Sequence, residues 1–137
     1  MAPSPNSLVL SSITVAMNGQ PILDGMSVHR ATAAGGNTRF EAYLMDGTRA
    51  AVGDHANVRY ERPMGMMNQS GSMGLYDDGT HGDRVRNDGV YCYEDSDGSF
   101  GIHMIDARMG QYHFEFWGTD PGGRDSNHMT LAITMTP

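Results

Sequence analysis

Four aspartates, one asparagine and three glycines fall within the thirteen positions from Asp77 to Gly89. The surrounding segment reads Leu75-Tyr76-Asp77-Asp78-Gly79-Thr80-His81-Gly82-Asp83-Arg84-Val85-Arg86-Asn87-Asp88-Gly89-Val90-Tyr91. Glycine allows the backbone to double back, so that carboxylates and carbonyls distant in sequence converge, and a hard cation such as Ca²⁺ takes about six to eight such oxygens. Asp77, Asp78, Asp83 and Asp88 are therefore the candidate Ca²⁺ ligands. Their spacing is not that of an EF-hand loop, which alternates aspartates and closes on a glutamate. A second reading needs no ion. Each aspartate caps a turn through its own side chain, at Asp77 or Asp78 and again at Asn87-Asp88, with Gly79 and Gly89 at positive φ. In that reading Arg84 and Arg86 neutralise the crowded carboxylates.

A softer donor set lies just upstream. The chain holds 12 methionines, and Pro63-Met64-Gly65-Met66-Met67-Asn68-Gln69-Ser70-Gly71-Ser72-Met73 gathers four of them in one Gly/Ser-rich stretch. Thioethers select Cu(I) and imidazoles suit Cu(II), so Met64, Met66, Met67 and Met73, with His55 or His81, form an alternative, copper site. The competing reading is methionine as core filler, the role expected of Met17, Met45, Met129 and Met135. The stretch resembles, in style rather than by an aligned motif, the Met-rich loop of periplasmic copper-resistance β-sandwich proteins. A third set comes from alternation in Gln111 to Trp117, which places His113, Glu115 and Trp117 on one face of a strand. That row is either a ligand surface, such as a sugar platform or a metal pair, or an ordinary solvated sheet face.

Other chemistry is excluded by composition. All 9 basic residues are arginines, so the chain has no lysine for a Schiff base, a Walker phosphate loop or a Lys–Asn isopeptide staple. Cys92 is the single cysteine and has no partner for an internal disulfide. It sits between Tyr91 and Tyr93, where alternation buries either the cysteine or its two neighbours. The six histidines show no metal-ligating spacing, and no nucleophile elbow or dinucleotide fingerprint occurs. No catalytic residue is predicted, and the chain is not expected to be an enzyme. With 16 acidic residues and a net charge of −7, a nucleic-acid partner is not expected either.

The elements that must position these residues are short. Period-2 alternation recurs at Leu8 to Met17, Ser27 to Ala33, Thr38 to Met45, Ala56 to Arg62, Ser72 to Tyr76, Gly89 to Glu94, Phe100 to Ile105, Gln111 to Trp117 and Asn127 to Met135. Turn pairs such as Asp24-Gly25 and Asp46-Gly47, and the cluster Pro121-Gly122-Gly123, punctuate them. About eight strands at this spacing predict an all-β fold, an antiparallel immunoglobulin-like β-sandwich, with residues 1–7 as a tail and 8–137 as a single domain. The expected core is Phe40, Ala42 and Leu44 with Tyr112, Phe114 and Phe116, closed by Met129, Leu131, Ile133 and Met135.

The segment Leu75 to Tyr91 resembles the LYDDGxxGDxxxxDGVY signature of bacterial secreted immunoglobulin-like or fibronectin-III-like domains, and is similar to the C-terminal domain of calcium-activated chloride channel regulators. Gly110 to Gly123 resembles the G-x-Y strand and hairpin of the same group. The resemblance implies an extracytoplasmic binding or assembly module of adhesins, surface proteins or polysaccharide-active enzymes, with protein or polysaccharide partners, self-assembly among its roles, and no catalytic residues. It departs from the group at Trp117, where a small polar residue is common, and in its methionine content. The expected setting is secreted, periplasmic or cell-surface. Met1 to Pro5 has no charged and apolar leader pattern, so a signal peptide is expected outside this chain. No apolar run approaches the ~18 residues that span a bilayer, and membrane insertion is not expected.

Overall fold

The computed structural model describes residues 8–17, 19–29, 38–63, 69–80, 83–95 and 109–137. Ten strands are formed: β1 (Leu8–Met17), β2 (Gln20–Ile22), β3 (Met26–His29), β4 (Thr38–Asp46), β5 (Arg49–Ala50), β6 (His55–Glu61), β7 (Ser70–Leu75), β8 (Val90–Asp95), β9 (Gly110–Thr119) and β10 (Met129–Thr136). One sheet runs β2-β1-β4-β5, with β8 also paired to β4, and the other runs β3-β10-β9-β6-β7. The expected class, an immunoglobulin-like β-sandwich, is therefore the observed one. Its departure from a purely antiparallel arrangement is β3, which runs parallel to β10. Asp24-Gly25 makes this crossing: Gly25 N donates to the Ala132 carbonyl at 2.7 Å, and Ala132 N donates to Asp24 Oδ1 at 2.8 Å. β2 and β5 were too short to show as alternation. The strand expected at Phe100 to Ile105 lies outside the described residues.

The core forms where the apolar parities of the two sheets meet. Even-numbered residues of β4 and β9 point inward, so Phe40 lies 5.3 Å from Phe114 and 6.5 Å from Phe116, centroid to centroid, and is fully buried. Ala42, Leu44, Tyr112, Leu131, Ile133 and Met135 complete the expected set, with Met129 partly buried against it. Met45 differs from expectation: as an odd residue of β4 it faces outward and is only partly buried. Gly118 sits where no side chain fits, because a Cβ there would lie 2.6 Å from Leu44 Cδ2.

β1 carries a conflict that a bulge resolves. Leu8 and Leu10 are buried at even positions, whereas Val15 and Met17 are buried at odd ones. Pairing with β4 shifts between Leu10 and Ser12, which flips the inward parity midway. The backbone of Leu10 is then satisfied by a side chain from the other layer: Leu10 N donates to Asn127 Oδ1 at 2.8 Å, and Asn127 Nδ2 donates to the Leu10 carbonyl at 3.0 Å. This amide ties the two layers together.

Phe40→Ala is expected to lower stability by about 3–5 kcal/mol in equilibrium urea denaturation. Asn127→Ala, which strands two backbone groups, is expected to cost about 1–3 kcal/mol by the same measurement.

Candidate functional site

The Asp/Gly loop is closed at its base by a change of sheet. β7 ends at Leu75, and Tyr76 leaves its layer to pair with Cys92 of β8: Tyr76 N donates to the Cys92 carbonyl and Cys92 N to the Tyr76 carbonyl, both at 2.8 Å. The loop between them is folded around one side chain. The Asp77 carboxylate accepts Asp88 N at 3.2 Å and Gly89 N at 2.9 Å, and its carbonyl accepts Asn87 N at 2.9 Å. Asn87 adopts φ 59°, a left-handed conformation that asparagine tolerates. Gly89 has φ 81°, and a Cβ there would lie 2.8 Å from the Ala50 Cβ, so conformation and space both require glycine.

Three of the four expected aspartates are brought together. One ligand oxygen from each of Asp77, Asp83 and Asp88 lies within 4.8 Å of the others, with Asp77 and Asp83 buried and Asp88 half-buried. Asp83 Oδ2 accepts Gly79 N at 2.9 Å, and Asp88 Oδ1 accepts Val90 N at 3.0 Å. Asp78 stands apart: its Oδ1 accepts the Thr80 amide at 3.0 Å and the Thr80 hydroxyl, an exposed Asx turn. Turn capping and convergence of carboxylates thus occur in the same loop. Arg84 and Arg86 are exposed, and among the described residues neither forms an ion pair with the three carboxylates.

The electrostatic consequence falls on Asp77. Burial is the largest influence on its carboxyl, and Asp88 adds to it; two backbone donors oppose the rise, leaving the group pushed up to about 6. At that separation, each pair of charges repels by on the order of 3 kcal/mol in a medium of effective dielectric about 20. Asp54, which lines the same end of the sandwich, is also raised, first by burial and then by Asp120 and Asp46. A cleft of about 390 Å³ opens here, walled by Asp54, His55, Tyr76, Asp77 and Asp78.

The third expected set is on the outer face of the other sheet. His113, Glu115 and Trp117 alternate with buried Tyr112, Phe114 and Phe116 along β9, as expected. Sequence reading missed their partner, His128. The register Met129 opposite Phe116 sets His128 beside Trp117, and the two rings stack at 5.0 Å with planes 4° apart. His128 Nδ1 lies 3.1 Å from Glu115 Oε2, and its Nε2 lies 3.9 Å from Asp125 Oδ2. The signal for this pairing was the turn between the strands, where Gly123 N donates to the Asp120 carbonyl and Asp120 N to the Arg124 carbonyl, both at 2.9 Å.

Of the methionine set, Met73 is the member that lies among the described residues. Met73 packs in the hydrophobic core opposite Val58, because its position on β7 faces inward. Met64, Met66, Met67 and His81 lie outside the described residues. Cys92 and both flanking tyrosines are buried, where alternation alone had one or the other inside. Burial pushes the Cys92 thiol up to about 12, so it is chemically quiet at neutral pH.

The raised Asp77 carboxyl sets a pH dependence. Its stabilising contribution is complete below the unfolded value of 3.8 and is lost as pH rises through about 6. In chelator, the stability of the wild type relative to Asp77→Asn is therefore expected to fall by on the order of 2 kcal/mol between pH 4 and pH 7 in urea titrations, since the amide does not titrate.

No protein-family model matches the sequence, and no curated protein matches it. Among solved structures, the chain is similar to a polysaccharide deacetylase from Bacillus cereus at 12% identity and a TM-score of 0.47, over 90% of this chain and 29% of that one. It therefore spans less than a third of the deacetylase's length. It is also similar to the PmoD soluble domain from Methylocystis sp. at 11% identity and a TM-score of 0.48, over 98% of this chain and 95% of the other.

Proposed function

We propose that this chain is a non-catalytic, extracytoplasmic β-sandwich module that acts by binding or assembly at a cell surface, its Asp77–Gly89 loop rigidified by Ca²⁺. The observation that carries the calcium reading is the convergence of the Asp77, Asp83 and Asp88 carboxylates, two of them buried, without an arginine among them. The donor set is all hard oxygen, which suits Ca²⁺ rather than a soft metal. It also has capacity to spare. A carboxylate offers about four lone-pair positions, and the backbone donors of this loop engage only one or two on each side chain. Remaining ligands would be carbonyls and water.

The role of the ion is structural. A cation that binds only the folded state stabilises it in proportion to the logarithm of its excess over Kd. Here it also relieves repulsion that otherwise grows as Asp77 ionises. With a single cysteine the chain has no internal disulfide to staple it, and a bound cation fills that role in an oxidising compartment. The likeness of Leu75 to Tyr91 to the secreted-domain signature supports the same setting. Among the described residues, no helix is long and apolar enough to cross a membrane.

Calorimetric melting tests the reading. In millimolar Ca²⁺ the melting temperature is expected to rise by about 5–10 °C over that in EDTA, if the ion is at about a hundred times its Kd. Asp83→Ala and Asp88→Ala are each expected to remove the shift, and Asp88→Asn, the gentler change, to reduce it. Equal melting of the wild type in EDTA and calcium would sink the calcium assignment. Elemental analysis of the purified protein that found copper in place of calcium would move the metal to the methionine stretch.

A further inference from the structure

We propose that Asp46-Gly47, at the turn joining β4 to β5, is a site of spontaneous isoaspartate formation, where the folded chain rearranges its own backbone. Water is the only reagent.

The chemistry sets what such a site needs. The backbone nitrogen of the residue after an aspartate attacks the side-chain Cγ and forms a C–N bond. Its amide proton and the hydroxyl of the protonated carboxyl leave as water, and a five-membered succinimide closes. Glycine leaves the approach open because it has no Cβ. Water then adds to either ring carbonyl. Attack at Cγ restores aspartate, whereas attack at the main-chain carbonyl breaks its bond to the glycine nitrogen. The chain then runs through Cγ, with the α-carboxylate as the new side group. Mass and net charge are unchanged.

Hydrogen bonding selects among the Asp-Gly pairs. The sequence holds five of them, at Asp24, Asp46, Asp78, Asp88 and Asp97. Exposure does not separate them, since Asp24, Asp46 and Asp78 are all exposed together with their glycines. The glycine amide must lose its proton to attack, and a bond to an acceptor holds that proton in place. Gly25 N donates to the Ala132 carbonyl at 2.7 Å, and Gly79 N donates to Asp83 Oδ2 at 2.9 Å. Gly89 N donates to Asp77 Oδ2 at 2.9 Å and is buried as well. Among the described residues, no hydrogen bond engages the Gly47 amide. Asp97-Gly98 lies outside them.

The turn is also one that opens easily. Gly47 and Thr48 connect Asp46 to its ladder partner Arg49, and Gly47 takes φ 64° with open space where a Cβ would stand. Ring closure requires Asp46 to rotate out of its extended conformation, which lifts β5 from β4. With 2 residues β5 is the shortest of the described strands, and a segment held by few bonds opens at the least free energy. The product reaches the loop end of the sandwich. An added backbone carbon breaks the Asp46–Arg49 register, and β5 packs over the return of the Asp/Gly loop, where a Gly89 Cβ would lie 2.8 Å from the Ala50 Cβ.

Peptide mapping of aged protein tests the site. Because the chain has no lysine, trypsin cuts at arginine, and the peptide Phe40 to Arg49 carries Asp46-Gly47 as its single Asp-Gly pair. The full chain is held for weeks in EDTA at mildly acidic pH and body temperature, either folded or in guanidinium chloride. Isoaspartate is then localised in each peptide by electron-transfer fragmentation. In denaturant, all the Asp-Gly pairs are expected to convert at similar rates. In the folded chain, conversion at Asp46 is expected to exceed that at Asp24, Asp78 and Asp88 by about fivefold or more, the scale on which one hydrogen bond holds a group. Asp83→Ala, which frees the Gly79 amide, is expected to raise conversion at Asp78 toward that at Asp46. Asp46→Glu, whose ring would have one more member, is expected to abolish the rearranged form of the Phe40 to Arg49 peptide. Conversion at Asp46 no faster than at the three bonded pairs in the folded chain would overturn the proposal. So would an unchanged rate at Asp78 in Asp83→Ala, since the amide bond would then not be what selects the site.

Discussion

The arrangement of the loop end of this sandwich depends on the buried carboxylate of Asp77. Its two oxygens take the amides of Asp88 and Gly89, and its carbonyl takes that of Asn87, so one residue organises the return of the chain into β8. Gly89 passes the constraint on, since its carbonyl accepts Leu44 N at 2.9 Å and so pins the return of the loop to β4, the neighbour of β8. Tyr91 extends it further: its hydroxyl donates to the Ala51 carbonyl at 2.9 Å and accepts Asp54 N at 3.2 Å. Those bonds fix the turn that leads into β6. A charge that is costly to bury is retained here because its hydrogen bonds hold three segments in register.

The fold was readable where alternation is long and regular. β4, β9 and β10 each bury alternate residues over most of their length, and there the predicted inward faces match the core. β1 was placed correctly as a strand, but its inward face was not predictable, because a bulge near Ser11 changes parity midway and depends on Asn127, more than a hundred residues away. β2 and β5 have 3 and 2 residues, too few to establish a period. The parallel pairing of β3 with β10 was equally hidden, since it is a choice between layers made by tertiary contacts at Asp24 and Gly25.

At the candidate sites, the loop residues could be named from composition and turn chemistry, but the division among them could not. Asp78 and Asp77 are adjacent, yet one caps an exposed turn and the other is buried, and nothing local distinguishes them. The difference comes from Tyr76, which crosses to Cys92 and turns the next residue inward. Likewise, alternation put His113, Glu115 and Trp117 on one face, but only the β9–β10 register brings His128 to the indole. Met73, named with the methionine stretch for its thioether, packs in the core because strand parity turns it inward.

The protonation state of Asp77 links the turn bonds of the loop to its proposed cation. While the loop is free of cation, its carboxyl holds a proton up to about pH 6, because burial and the Asp88 charge disfavour the anion. In the proposed cation-bound form, a divalent ion would replace that proton and offset the Asp88 charge, so calcium and protons would compete for one site. In the proposed setting, a drop in pH would release the ion and return Asp77 to its neutral form rather than leave a bare cluster of charges. On that proposal the loop would exchange between a protonated and a cation-bound state.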